Sequence, residues 1–257
     1  MTSEKRESPI GKRVSLFVTC MVDMLYPQTG MAVVIVLEYL GLEVDFPIVQ
    51  TCCGQPAFNA GYRREARHVA EQFLVAFENA EVIVTPSGSC AAMVRHEYPK
   101  LFEADPARRV LAERLAGITW EFTEFLVDGL GITDLGSRLP SPTTFAFHDS
   151  CHGLRLMGLG RAGRELVSHI ENATIIEMEK HDVCCGFGGL FAVKMADVSG
   201  AMLAEKLAYV AECPAQVVGV DVSCQTHING GLEKMGSPRR MRHVADVLAE
   251  SLETKGA

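Results

Sequence analysis

Thr51-Cys52-Cys53-Gly54-Gln55-Pro56-Ala57-Phe58-Asn59-Ala60-Gly61-Tyr62 and Cys184-Cys185-Gly186-Phe187-Gly188-Gly189-Leu190-Phe191 are the two stretches on which the fold turns. Each sets two adjacent cysteines before a glycine, and the second pair follows the first by 132 residues. The flanking cysteines keep nearly the same offset, 131 residues from Cys20 to Cys151 and 134 from Cys90 to Cys224. Serine precedes the last cysteine both times, as Ser89 and Ser223. Nine cysteines placed independently would seldom give four such coincidences, so the chain reads as one unit used twice. Free cysteine is also a common small core residue. That plainer reading suits Cys213, whose counterpart position near Asn79 holds no cysteine.

Around these pairs each half has the same layout. Val14 to Thr19 reads as a buried strand ending at Cys20, a helix is expected over Thr29 to Gly41, and Glu43 to Val49 reads as a second strand delivering Cys52-Cys53-Gly54. Arg63 to Asn79 has apolar residues at spacings of three and four, the mark of an amphipathic helix. Glu81 to Thr85 is a third strand, and Pro86-Ser87-Gly88-Ser89 a tight loop presenting Cys90. The second half repeats this with Thr143 to Phe147 before Cys151, Thr174 to Met178 before Cys184, a helix over Ala192 to Ala211, and Gln216 to Val220 before Cys224. Pro140-Ser141-Pro142 reads as the linker, giving repeats over 12–139 and 143–257. Strands alternating with helices predict an α/β fold of two pseudo-symmetric repeats, each a small, mostly parallel sheet flanked by helices. Ligands of such sheets sit beyond the carboxyl ends of the strands, where all the repeated cysteines fall.

Composition narrows the chemistry. The chain has 257 residues, 48% hydrophobic and 22% charged, as in a globular protein. A net charge of -8 has the wrong sign for gripping a phosphate backbone, so no nucleic-acid partner is expected. No apolar run approaches the roughly 20 residues that span a bilayer. Lys5 to Arg13 followed by Val14 to Cys20 imitates an export leader but lacks its small-residue cleavage site, so a cytoplasmic address is expected. In a reducing compartment the cysteines read as metal ligands or redox thiols rather than disulfides.

Four thiols from separate strand ends could converge on one centre in each half: Cys20, Cys52, Cys53 and Cys90, then Cys151, Cys184, Cys185 and Cys224. Such sets suit zinc or an iron–sulfur cluster. Neither half has the short Cys-x₂₋₄-Cys pairs of structural zinc sites, and adjacent cysteines point in different directions, which favours a bulky cluster. Gly186, Gly188 and Gly189 allow backbone N–H groups to approach electron-rich sulfur, or simply form a flexible turn. As a redox disulfide couple, adjacent cysteines would close a strained ring without the Cys-x-x-Cys helix start that lowers a thiol pKa.

Together with Pro86-Ser87-Gly88-Ser89-Cys90, Phe147-His148-Asp149-Ser150-Cys151-His152 and Asp221-Val222-Ser223-Cys224-Gln225, the two opening stretches resemble the cysteine-rich CCG family, and within it most of all the lactate-utilization branch, over nearly the whole chain. A more distant likeness runs to the B subunit of heterodisulfide reductase and to iron–sulfur subunits of glycolate oxidase and anaerobic glycerol-3-phosphate dehydrogenase. The resemblance implies an iron–sulfur electron-transfer component of a system that oxidises L-lactate to pyruvate and permits growth on lactate. It also implies a ferredoxin-type iron–sulfur partner and a third subunit, hence a subunit of an L-lactate dehydrogenase-type complex. The fullest CCG pattern ends each half in Cys-x-x-Cys, whereas Ser87 and Asp221 hold the first of those positions here. Four thiols per half therefore favour ordinary [4Fe–4S] centres or a site with an open iron, one or two centres per chain, with zinc in one half still open. Asp221 could supply an oxygen ligand or cap the following helix. A cluster-based disulfide or thiol reductase and a zinc-binding scaffold subunit are the alternative functions.

Weaker signals remain. Gly158-Leu159-Gly160-Arg161-Ala162-Gly163 matches a dinucleotide fingerprint, with Glu177 at the position of a ribose-binding acid. Its glycines stand too far from the strand ending near His148 to form the required turn, so a glycine-rich loop under the cluster is expected. His148 and His152 could donate to sulfur, ligate metal, carry protons or be satisfied by backbone, while His227 is expected to face away from sulfur. Neither Arg155 nor His148 has a spacing diagnostic of carboxylate binding, and no hydrolase motif appears.

Overall fold

Residues 9–253 are described by the computed structural model. Period-two alternation builds both sheets. Val14, Leu16 and Val18 turn to one face of the first sheet with Val82 and Val84, while Phe17 and Ile83 turn to the other. In the second sheet Phe145, Phe147, Val218 and Val220 share a face, with Ala146 and Val217 opposite. The first sheet comprises β1 (Val14–Leu16), β2 (Val44–Asp45), β3 (Val82–Thr85) and β4 (Thr119–Glu121), in the order β2-β1-β3-β4. The second comprises β5 (Arg138–Phe147), β6 (Glu171–Ile175), β7 (Gln216–Gly219) and β8 (Arg242–His243), in the corresponding order β6-β5-β7-β8. Every strand pair is parallel. The fold is therefore α/β with two pseudo-symmetric repeats.

One core runs through both repeats. The helices Pro27–Tyr39 and Val244–Glu253 pack together, and Val33, Val36 and Leu37 join Val244, Val247 and Leu248 in a cluster that includes the inward faces of both sheets. Separate outer cores form around Phe17, Phe73 and Tyr98 in the first repeat and around Leu207, Val210 and Ile228 in the second. Among the described residues no helix is long and apolar enough to cross a membrane.

Several local expectations change. Pro140 to Pro142 lie within β5 rather than in a free linker, exposed where the register shifts between Arg138 and Thr143. An irregularity of this kind is where proline, lacking a donor, is tolerated in a sheet. The expected strand over Glu43 to Val49 shortens to Val44–Asp45 before Pro47. The chain after β1 enters a short helix, Cys20–Leu25, before the longer Pro27–Tyr39. Pro86 to Ser89 is a helix start rather than a loop, since Ser87 caps Gly88–Ala92. β4 and β8 escaped the pattern because each is only two or three residues long. Val14 to Leu16, in the leader-like stretch, is a central strand, while Lys5 and Arg6 lie outside the described residues.

Candidate metal centres

In the first repeat the chain runs on from β1 to Thr19, held at φ 71, a sparsely populated conformation for a residue other than glycine, and Cys20 opens the next helix. Its Sγ lies 3.5 Å from Cys52 Sγ. Gln50 fixes the Cys-Cys segment beside β1 by taking the place of a strand residue: its Oε1 accepts from the Val18 N–H at 2.9 Å and its Nε2 donates to the Leu16 carbonyl at 3.0 Å. Gly54, at φ 80, donates its N–H to Cys52 Sγ at 3.4 Å. Cys53 is buried below, and the Tyr98 hydroxyl donates to its carbonyl at 2.9 Å. Cys90 sits in the first turn of its helix, with its N–H donating to Ser87 Oγ at 3.2 Å.

The second repeat is built the same way. Cys151 Sγ is 4.0 Å from Cys184 Sγ, and the Gly186 N–H donates to Cys184 Sγ at 3.4 Å. Gly186 has φ 88, and a Cβ there would lie 2.7 Å from the Ser199 carbonyl oxygen, so only glycine fits. Ser199 Oγ donates to the Gly186 carbonyl at 2.8 Å and lies 3.3 Å from His227 Nε2. His227 thus braces the loop through Ser199. Cys224 lies in the first turn of Val222–Lys234, capped by Asp221.

Each set centres on one low-pKa thiol. Hydrogen bonds from Cys20 and Cys53, with the Gly54 N–H, bring Cys52 down to about 3, and those from Cys151 and Cys185, with the Gly186 N–H, bring Cys184 to about 2. The donating partners move the other way: Cys20 and Cys151 are pushed up by sharing their protons with these sulfurs and by burial. Grouped thiols of this kind resist losing several protons together, and a bound cation removes that penalty.

The two sets meet at the pseudo-two-fold axis. Ser87 and Asp221, the equivalent residues at the departures from Cys-x-x-Cys, form an antiparallel bridge, with the Gly88 N–H donating to the Val220 carbonyl at 3.2 Å. Asp221 Oδ1 accepts from the Ser223 N–H at 3.0 Å, while Oδ2 reaches across to the Ser89 N–H at 2.7 Å. One buried carboxylate therefore holds the starts of both helices that carry Cys90 and Cys224. All eight repeated cysteines line a single cavity of about 400 Å³, with Asp221 and His152 also at its wall. Gly189 of the second repeat packs against Pro56 of the first beside it.

The remaining candidates fall elsewhere. His152 Nδ1 lies 3.4 Å from Cys151 Sγ. His148 is buried beneath Cys185 and Cys224. Cys213 belongs to the outer core of the second repeat, as its lack of a partner predicted. Arg155 is exposed and outside the cavity wall. Gly163 packs on Phe147, and Glu177 is engaged by Arg164 at 2.8 Å, so the glycine motif packs a helix on a strand and its acid is already paired. Arg164 also meets Asp149 at 2.8 Å, and Asp149 meets His181 Nδ1 at 2.7 Å. Sequence reading missed this network, Gln50 and Lys206, because their partners are remote in the chain.

The profile of the cysteine-rich CCG domain matches residues 14–95 and 145–229. Lactate utilization protein A of Geobacillus kaustophilus is 45% identical over 237 residues, covering 92% of this chain and 98% of that protein. The protein of the same name from an Exiguobacterium species is 46% identical over 243 residues, covering 93% and 98%. A crystal structure of a hypothetical protein from Helicobacter pylori superposes with a TM-score of 0.59 at 10% identity, a likeness of fold, covering 93% of this chain and 49% of that one.

Proposed function

This chain belongs to the lactate utilization protein A family of cysteine-rich CCG proteins, and from that premise we propose that it is an iron–sulfur component of a system oxidising L-lactate to pyruvate. The observation that carries the reading is the single cavity walled by both cysteine sets. Bound iron–sulfur centres, probed as [4Fe–4S], would supply one-electron redox chemistry there. Cys20, Cys52, Cys53 and Cys90 hold one centre, and Cys151, Cys184, Cys185 and Cys224 the other. The N–H groups of Gly54 and Gly186 stabilise thiolate at Cys52 and Cys184. Asp221 keeps Cys90 and Cys224 in place rather than binding metal, since both its oxygens already accept backbone N–H groups.

The role is electron transfer rather than lactate binding. No Arg or Lys lines the described cavity wall to hold a carboxylate. Lactate is then bound by another member of the system, and a ferredoxin-type iron–sulfur protein and a third subunit are the proposed partners. Nine free thiols suit a reducing compartment, which supports a cytoplasmic address.

One observation favours a second reading. A tetrahedral zinc site with 2.3 Å metal–sulfur bonds needs sulfurs about 3.8 Å apart, and the Cys20–Cys52 and Cys151–Cys184 sulfurs lie 3.5 and 4.0 Å apart. Iron, acid-labile sulfide and zinc analysis, with visible and spin-resonance spectra on protein purified without oxygen, separates the two. About four irons per centre with equal sulfide is expected for cubane clusters. Zinc with no labile sulfide, persisting after reconstitution, refutes the electron-transfer role and makes the chain a scaffold.

A further inference from the structure

The two repeats differ beneath their cysteines. Phe17 and His148 hold equivalent places, each three residues before the first cysteine of its set, with backbone N–H groups donating at 2.8 Å to Val84 and Val218 respectively. Gly54 packs against Ala66 and Val69, and Gly186 against Ser199 and Met202, an offset of 133 that aligns Phe73 with Lys206. In the first repeat Phe17 and Phe73 meet edge to face, with ring centroids 4.9 Å apart. The second repeat replaces this aromatic pair by an imidazole and an ammonium.

Both replacements are buried, and His148 lies against the cysteines of its set. His148 is 1% exposed, neither ring nitrogen has a partner at hydrogen-bonding geometry, and its ligand atom lies within 4.8 Å of the Cys185 and Cys224 sulfurs. Lys206 is 0% exposed, its Nζ donates to the Lys180 carbonyl at 2.6 Å, and its neighbouring acidic groups are Cys185, Asp182, Cys224 and Asp149. An orphaned imidazole N–H and a buried cation have no reason to displace a well-packed phenylalanine pair unless negative charge is held nearby. Asp149 and Asp182 supply part of it to Lys206, and thiolates of Cys185 and Cys224 binding a cluster add to it beside both residues.

We propose that the second centre is the more readily reduced of the two, and that His148 and Lys206 make it so. This rests on the iron–sulfur reading above. An electron added to a cluster increases its negative charge, and a donor N–H and a nearby cation favour that state. The first centre faces Phe17 and Phe73 instead, which stabilise neither state. Electrons shared between the centres therefore reside on the second, which makes His148 and Lys206 positioning and tuning residues rather than catalytic ones.

Spin-resonance-monitored redox titration tests this. Cys53→Ser isolates the second centre and Cys185→Ser the first, and the second should have the higher potential. His148→Phe, which restores the first repeat's residue, should shift the second centre's reduction equilibrium at least tenfold toward the oxidised form, 59 mV for a one-electron couple, and leave the first unchanged. Lys206→Met should shift it the same way and carries the test if the histidine variant fails to fold. Equal potentials, a reversed order, or no shift in either variant overturns the proposal while leaving two clusters in place. Zinc without labile sulfide in the parent protein overturns the iron–sulfur reading and this proposal with it.

Discussion

Replacing Asp221 by alanine should destabilise the protein by about 3 kcal/mol. The side chain is 1% exposed and serves two helix starts at once. Losing its cap on Val222–Lys234 costs about 1 kcal/mol. Losing the 2.7 Å bond to the Ser89 N–H leaves a buried donor unmatched, a further cost of about 1–3 kcal/mol. For a chain of this size each kcal/mol lowers Tm by about 2–4 °C, so Asp221→Ala should melt roughly 6–12 °C below the parent. Asp221→Asn keeps an acceptor oxygen and loses the charge, so its loss should be about 1 kcal/mol, or roughly 2–4 °C. Thermal melting at fixed metal loading, with metal analysis of the asparagine variant, makes the comparison. The metal content of Asp221→Asn should equal that of the parent. If that variant loses the second repeat's metal while its Tm is unchanged, Asp221 is a ligand and the capping argument is wrong.

Further outcomes can be checked independently. Cys185→Ser should remove the iron and visible absorption of the second centre and leave the first; an unchanged iron content would count against the ligand assignment. Glu121 is buried, and desolvation pushes its carboxyl up to about 8 against hydrogen bonds from Thr123 and Glu124 that favour the charged form. Its folded pKa lies above the unfolded value of 4.5, so the stability it contributes is full below about pH 4.5 and is lost as pH rises through about 8. Glu121→Gln should flatten that part of the stability–pH curve, and parallel curves for parent and variant would refute the assignment. Gly186→Ala should disrupt the second centre, because its Cβ would meet the Ser199 carbonyl at 2.7 Å. Gly200→Ala, in an exposed helical position with open space around it, should instead raise Tm by roughly 1–4 °C, from a gain of about 0.5–1 kcal/mol. Equal effects of the two glycine substitutions would show that local packing does not decide them.

The sequence by itself determined the repeat, the parallel α/β class and the eight cysteines at strand ends. These follow from spacing and alternation, which are local properties: a strand of period two ends where its pattern ends, and Cys20, Cys90, Cys151 and Cys224 stand just beyond. The Ser87 and Asp221 departures were visible as missing thiols, but a residue type does not say whether a carboxylate binds metal or caps a helix. Only the tertiary structure shows the capping, by bringing Ser89 of one repeat within 2.7 Å of Asp221 in the other. It likewise joined two cysteine sets into one cavity wall, fused the repeats through the helices Pro27–Tyr39 and Val244–Glu253, and set His148 and Lys206 where the first repeat holds an aromatic pair. Each of these depends on contacts between residues far apart in the chain, and such contacts are fixed by how the two sheets pack, which no spacing along one strand encodes.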